Sequence, residues 1–180
     1  EQQKRTGIGV VIKRDTLENQ VNPIYLAIGS NLGNKKNNIE KTKFILSQNN
    51  IKILKSSSFY ESQSWPNPKL PKFLNIVIKV NTNLKPLNLL YLCKKIELQL
   101  GRKKSPKNAP RVCDIDILDY NRKVTNNGLI LPHPRLHTRN FVILPLFEIC
   151  KDWYHPVSKF NIKRLICSLS NRDIRSIKQI

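Results

Sequence analysis

From Phe73 to Val80 the chain alternates with a period of two: Leu74, Ile76, Ile78 and Val80 fall on one side, and Phe73, Asn75, Val77 and Lys79 on the other. That period belongs to an extended strand and is incompatible with a helix. A strand has no stability of its own in water, so the remaining segments must pair with it and cover it.

The segments on either side supply what it needs. After Pro23, Ile24 to Ile28 is a short apolar run stopped by Gly29-Ser30-Asn31, as expected of a buried strand. Asn37 to Gln48 places Ile39, Thr42 and Leu46, with Ile45, at helical spacing, and Asn49-Asn50 closes it. Ile51 to Tyr60 opens on alternating Ile51 and Ile53 and reads as a second strand. Beyond the central strand, Pro86 stands where a helix begins, and Leu87, Leu90, Tyr91, Lys94 and Leu98 continue at helical spacing until Gly101. Val112 to Leu118 is a fourth strand. The order βαββαβ predicts an α+β, ferredoxin-like sandwich with helices on one face of an antiparallel sheet. Additional C-terminal helices and strands follow. Leu129 to Leu131 suggests a short strand, Thr138 caps a helix through Glu148 bent or ended by Pro145, and Asn161 to Leu169 caps and forms another.

At 180 residues one domain is expected. Residues 1–22 are polar apart from Ile8 to Ile12 and read as a disordered extension; residues 23–180 form the domain. No stretch approaches the apolar length of a membrane span, and there is no secretory leader pattern, so a cytoplasmic monomer is the expectation. Cys93, Cys113, Cys150 and Cys167 are widely spaced in apolar company and read as reduced core residues.

The net charge of +20 invites a polyanion hypothesis. Lysines scattered along the chain, of the kind an A/T-rich coding sequence supplies, dilute that inference, and position says more. Acids thin out between Glu61 and Asp114, leaving only Glu97, and vanish between Asp119 and Glu148. Two acid-poor tracts therefore flank Asp114, Asp116 and Asp119. On a strand Asp114 and Asp116 project to the same face ~7 Å apart, while Cys113, Ile115 and Ile117 face the core. Two like charges so placed need a divalent cation or a basic partner, and hard oxygen ligands suit magnesium held jointly with substrate phosphates. Arg102, Lys103, Lys104, Lys107 and Arg111 precede them in a loop broken by Gly101, Pro106 and Pro110. A cationic loop beside a metal-binding strand is the equipment of phosphoryl transfer.

The stretch Lys107-Asn108-Ala109-Pro110-Arg111-Val112-Cys113-Asp114-Ile115-Asp116-Ile117-Leu118 resembles the signature of the 6-hydroxymethyl-7,8-dihydropterin pyrophosphokinase family. Tyr25 to Gly33, Ser57 to Ser62, Phe73-Leu74-Asn75, Ile96 to Arg102, Leu131 to Pro134 and Arg139-Asn140-Phe141 follow the family pattern in its order. The resemblance implies pyrophosphoryl transfer from ATP to the hydroxymethyl oxygen of the pterin, releasing AMP, in folate biosynthesis. It implies two magnesium ions on Asp114 and Asp116, and Arg102 and Arg111 as the catalytic cations. Phe73 and Phe141 would sandwich the pterin, Asn75 would present amide donor and carbonyl acceptor to its edge, and Ser62, Gln63 and Trp65 would line its loop. Glu97, Arg102, Lys104, Arg111, Ile117, His133 and Arg139 would contact ATP. The chain departs from the family at Asn108-Ala109, where Trp-Gly is common, at Gly128, where Arg is frequent, and at Pro134, where Tyr is frequent.

Two other readings compete. A ferredoxin-like RNA-binding module fits the charge, but the chain lacks the aromatic strand motif such a module uses. A different magnesium-dependent nucleotidyl transferase would release pyrophosphate in place of AMP. On the reading favoured here the partners are ATP and a dihydropterin, with neither nucleic acid nor membrane.

Overall fold

The computed structural model describes residues 23–103, 106 and 108–180; the extension expected at residues 1–22 lies outside them. The architecture is mixed α and β around an antiparallel sheet of six strands. At its centre is β4 (Phe73–Asn81), the segment with the strongest alternation. One edge of β4 pairs with β1 (Ile24–Ser30), and β5 (Asp114–Tyr120) pairs on the far side of β1. The other edge is shared: β2 (Lys52–Ser56) pairs with the second half of β4 and β3 (Tyr60–Ser62) with its start. A two-residue β6 (Lys178–Gln179) lies outside β3.

The alternation of β4 is used on both faces. Leu74, Ile76, Ile78 and Val80 pack with Ile39 and Leu46 of α1 (Lys35–Gln48) and with Leu89, Cys93 and Ile96 of α2 (Pro86–Gln99). Val77, on the opposite face, joins Tyr25, Leu118 and Trp153 under α3 (Asn140–Ile149) and α4 (Ile162–Cys167). The sandwich expected from the first two helices is therefore closed by a second layer drawn from the C-terminal third. Each fully buried Leu or Ile in these cores contributes about 1.5–3 kcal/mol relative to exposure.

A β-bulge makes the joint between sheet and second layer. Tyr25 faces Asp119 and Leu26 faces Ile117, so Leu118 is the extra residue. Leu118 enters the second core, and the buried carboxylate of Asp119 accepts from Trp153 Nε1–H at 2.9 Å and Arg122 N–H at 2.8 Å.

Several sequence expectations are corrected. The second strand, expected from Ile51 to Tyr60, splits into β2 and β3. Ser57 Oγ accepts the Val77 N–H at 3.0 Å, so a side chain stands where the ladder would continue. Leu129 to Leu131 forms only an isolated bridge, Thr125 to Leu131. Thr138 does not cap α3: it ends a 3-10 turn, Leu136–Thr138, and Arg139 occupies the cap position without a side-chain bond. Pro145 falls inside α3 and has no N–H to offer the Phe141 carbonyl one turn back. Asn161 caps α4 as expected, accepting Arg164 N–H at 2.8 Å. Cys93 and Cys113 are core residues, each thiol pushed up to about 12 by burial. Cys150 is half-buried, and Cys167 is exposed because α4 buries Ile162 and Leu165 on its other face.

Candidate active site

The register of the sheet sets out the site. Asp114 lies opposite Gly29, Gly29 opposite Asn75, and Asn75 opposite Tyr60, a row that crosses four strands. Directly opposed residues share a face. The neighbouring row on that face is Asp116, Ala27 and Val77, where Val77 and Ala27 already belong to the core beneath α3. Two strand spacings place Asp114 and Asn75 about 10 Å apart. Gly29 leaves the floor between them open. A Cβ at Gly29 would come within 3.1 Å of Asn75 Oδ1 and 3.5 Å of Phe73 Cδ1, so the Asn75 amide sits close over Gly29 and would have to give by a few tenths of an ångström to admit a side chain there.

At the β5 end of the row, cations enclose the two carboxylates. Asp114 Oδ1 accepts from Arg102 Nη1 at 2.9 Å and Arg111 Nη1 at 3.3 Å, and Asp116 Oδ2 accepts from Arg139 Nη1 at 3.0 Å. Burial pushes the Asp114 carboxyl up, but Arg111, Arg102 and Lys94 outweigh it and the net shift is downward. His133 Nε2 stands 3.6 Å from Asp116 Oδ2. Burial, Arg139 and Arg135 lower the His133 pKa against the pull of Asp116. Because Arg135 N–H donates to His133 Nδ1 at 3.1 Å, the neutral ring carries its proton on Nε2, facing Asp116.

Glu97 and Ile117 depart from the roles expected of them. The Glu97 side chain is 2% exposed and accepts from the Ile115 N–H at 2.8 Å, from Lys94 Nζ at 2.8 Å and from Arg102 Nη1. Its oxygens are committed to protein donors, so it orients Arg102 from behind the strand. Ile117 is 3% exposed in the first core, and its side chain faces α1 and α2, away from the carboxylates. Lys104 lies outside the described residues.

At the other end of the row, Phe73 begins β4 beside Ser62; Phe141, in the first turn of α3, lies nearer the carboxylates, its ring centre 5.4 Å from the Arg139 guanidinium that reaches Asp116. The Asn75 amide donates to Tyr60 O at 3.2 Å and Ser62 Oγ at 3.0 Å. Both its hydrogens are thus taken by the protein, and Oδ1 faces the Gly29 position, so only the acceptor half of the expected donor-and-acceptor pair is left uncommitted in this arrangement. Ser62 is buried by this bond, Gln63 is exposed, and Trp65 is 69% exposed on the following loop.

Two residues not singled out from the sequence hold these parts together. Asn31, buried at the end of β1, accepts the Arg111 N–H at 2.7 Å and donates to Ser64 Oγ and to Pro71 O, each at 3.2 Å. It ties the loop bearing Trp65 to the loop bearing Arg111. The signal was its place at the end of the Gly29-Ser30-Asn31 stretch, directly after β1, which runs through Ser30, where a side-chain amide can replace missing strand partners. Glu148 accepts from Ser58 N–H at 2.9 Å, Ser58 Oγ–H at 2.8 Å and Tyr60 OH at 2.9 Å, pinning the C-terminal end of α3 to the split strand. Nothing in its sequence neighbourhood distinguished it.

The geometry therefore offers two carboxylates held by arginines at one end of the Gly29 row and the Phe73 ring with the Asn75 amide at the other. Comparison with known proteins bears on which ligands these are. Residues 25–151 match the family described as 7,8-dihydro-6-hydroxymethylpterin-pyrophosphokinase. The 2-amino-4-hydroxy-6-hydroxymethyldihydropteridine pyrophosphokinase of Bacillus subtilis is 38% identical over 73% of this chain and 80% of its own length. That of Aquifex aeolicus is 40% identical over 78% of this chain and 88% of its own. The folic acid synthesis protein fol1 of Pneumocystis carinii is 40% identical over 86% of this chain, which spans 21% of that longer protein. Among solved structures, Plasmodium falciparum HPPK-DHPS superposes with a TM-score of 0.66 at 17% identity, over 88% of this chain and 47% of that one, a likeness of fold.

Proposed function

The chain belongs to the 7,8-dihydro-6-hydroxymethylpterin-pyrophosphokinase family, and from that premise we propose that it transfers a pyrophosphoryl group from ATP to the hydroxymethyl oxygen of 6-hydroxymethyl-7,8-dihydropterin. In this reaction the pterin oxygen attacks the β-phosphorus, the bond from that phosphorus to the α,β-bridging oxygen breaks, and AMP leaves. The observation that supports the reading is the row Asp114–Gly29–Asn75, whose two ends, about 10 Å apart, suit cation and phosphates at Asp114 and the pterin at Asn75.

The donor set fits magnesium. Asp114 and Asp116 offer hard oxygen atoms on one face, and among the described residues no cluster of three or more acidic, His or Cys side chains forms a complete cage. A carboxylate pair that shares its ion with substrate phosphates is the usual way of binding magnesium, here two ions with ATP. When bound, magnesium neutralises phosphate oxygens and lowers the pKa of an attacking hydroxyl. Arg102 and Arg111, now on Asp114, are free to turn to the phosphates when Asp114 is otherwise engaged, as is Arg139 from Asp116; His133 adds a donor through Nε2–H. Phe73 and Phe141 stack on the pterin, worth ~1 kcal/mol per ring beyond burial, and the Asn75 carbonyl accepts from its edge. The loop with Gln63 and Trp65 closes over it and excludes water.

The same proposal covers the wider assignments: a ferredoxin-like core in the order β5-β1-β4-β2, a single pyrophosphokinase domain at residues 23–180 preceded by an extension, and a monomer acting in the cytoplasm. The test is ATP consumption with and without 6-hydroxymethyl-7,8-dihydropterin. AMP formed only with the pterin supports the reading, and release of pyrophosphate or ADP overturns it.

A further inference from the structure

The last ten residues, 171–180, lie beyond the segment that matches the family, yet they touch both sides of the proposed pterin slot. On one side β6 pairs with β3, Glu61 opposite Lys178 and Tyr60 opposite Gln179, and the Ile180 N–H donates to Phe59 O at 2.9 Å. Alternation along an antiparallel ladder makes Glu61 and Lys178 the next hydrogen-bonded pair. β3 runs directly into Gln63 and Trp65. On the other side, Asn140 Nδ2 donates to Asp173 O at 2.6 Å and to Ser176 Oγ at 3.0 Å, while its Oδ1 accepts the Phe141 N–H at 2.7 Å. Asn140 thus joins the C-terminal segment to the residue that carries the second aromatic ring.

The segment between these anchors is stiffened from within. Ser170 Oγ accepts the Asp173 N–H at 3.1 Å and donates to Asp173 Oδ2 at 2.6 Å, starting α5 (Asn171–Arg175), and Ser176 Oγ donates to Asp173 O at 2.8 Å. A cavity of about 250 Å³ lies between it and the β3 loop, lined by Ser62, Gln63 and Lys72 on one side and Arg175 and Lys178 on the other. Glu148 already fixes the far end of α3 to the split strand. The near end, where Arg139 and Phe141 sit, is fixed to the same edge of the sheet by residues 171–180.

We propose that residues 171–180 are a brace that sets the separation between the β3 loop and Phe141, and so determines affinity for the pterin; the ATP end is largely independent of it because the Arg139 guanidinium is anchored separately on Asp116. The brace is a positioning element and rests on the pterin reading of the slot. The test is calorimetric titration of the 180-residue chain with 6-hydroxymethyl-7,8-dihydropterin in the presence of magnesium and a non-hydrolysable ATP analogue, and with that analogue alone. Lys178→Pro removes a ladder donor, Asn140→Ala cuts the other anchor, and Lys178→Ala keeps the backbone N–H. The first two are expected to raise the pterin Kd about five- to tenfold, with analogue binding within twofold of wild type and Lys178→Ala unchanged. Wild-type pterin affinity in both anchor variants overturns the brace, as does parallel weakening of pterin and analogue. Failure of the wild-type protein to bind the pterin overturns the functional reading, and the brace with it.

Discussion

Asp114 is the residue on which the site's electrostatics turn: its carboxylate is shared by two arginines, one of them held from behind by buried Glu97. Replacing Asp114 or Asp116 with Ala is expected to lower kcat by at least about 10²-fold, the scale on which single preorganised charges act in transfer reactions. Steady-state rates at saturating magnesium check this; wild-type rates in either variant would contradict the metal assignment. The arginines also make Asp114 a pH-dependent contributor to stability. Its folded pKa lies below the unfolded value, so its contribution is present above about pH 4 and is lost as pH falls through the folded value. The urea-midpoint gap between wild type and Asp114→Asn is therefore expected to be widest near neutrality and to shrink below about pH 4.

Between elements, two polar residues carry couplings that apolar periodicity does not report. Asn31→Ala cuts the ties from β1 to both loops at once, and is expected to lower kcat/KM for the pterin and for ATP together while the circular dichroism spectrum is retained. A defect confined to one substrate would contradict its joining role. Asp119→Ala leaves the buried Trp153 N–H without an acceptor, at an expected cost of about 1–3 kcal/mol in urea unfolding. The elements that bind apolar faces were legible in the chain: β1, β4, β5, α1 and α2 follow from period and punctuation, and Asp114 with Asp116 from their shared strand face. What was not legible depended on side chains acting as backbone partners. Ser57 breaking the second strand, Asn75 spending its amide hydrogens inside the protein, and Glu97 turned inward to Arg102 are all long-range pairings that local pattern does not encode. The same holds for β6, two exposed residues that pair with the edge of β3.

For the whole molecule, the account gives the charge of +20 a location. Most described lysines lie along the surface, whereas Arg102, Arg111 and Arg139 converge on Asp114 and Asp116, the place proposed above for ATP and magnesium. Helices cover both faces of the sheet, and the Gly29 row, bordered by Phe73 and Asn75, continues the face on which Val77 and Ala27 enter the core beneath α3. The central claim is that this geometry moves two phosphoryl units together onto the pterin. Single-turnover reaction of enzyme, MgATP and 6-hydroxymethyl-7,8-dihydropterin, with the products resolved by mass spectrometry, tests it most directly. The account predicts a pterin carrying two added phosphate units and one AMP per turnover; a pterin carrying one phosphate with ADP, or AMP joined to the pterin with pyrophosphate released, would contradict it.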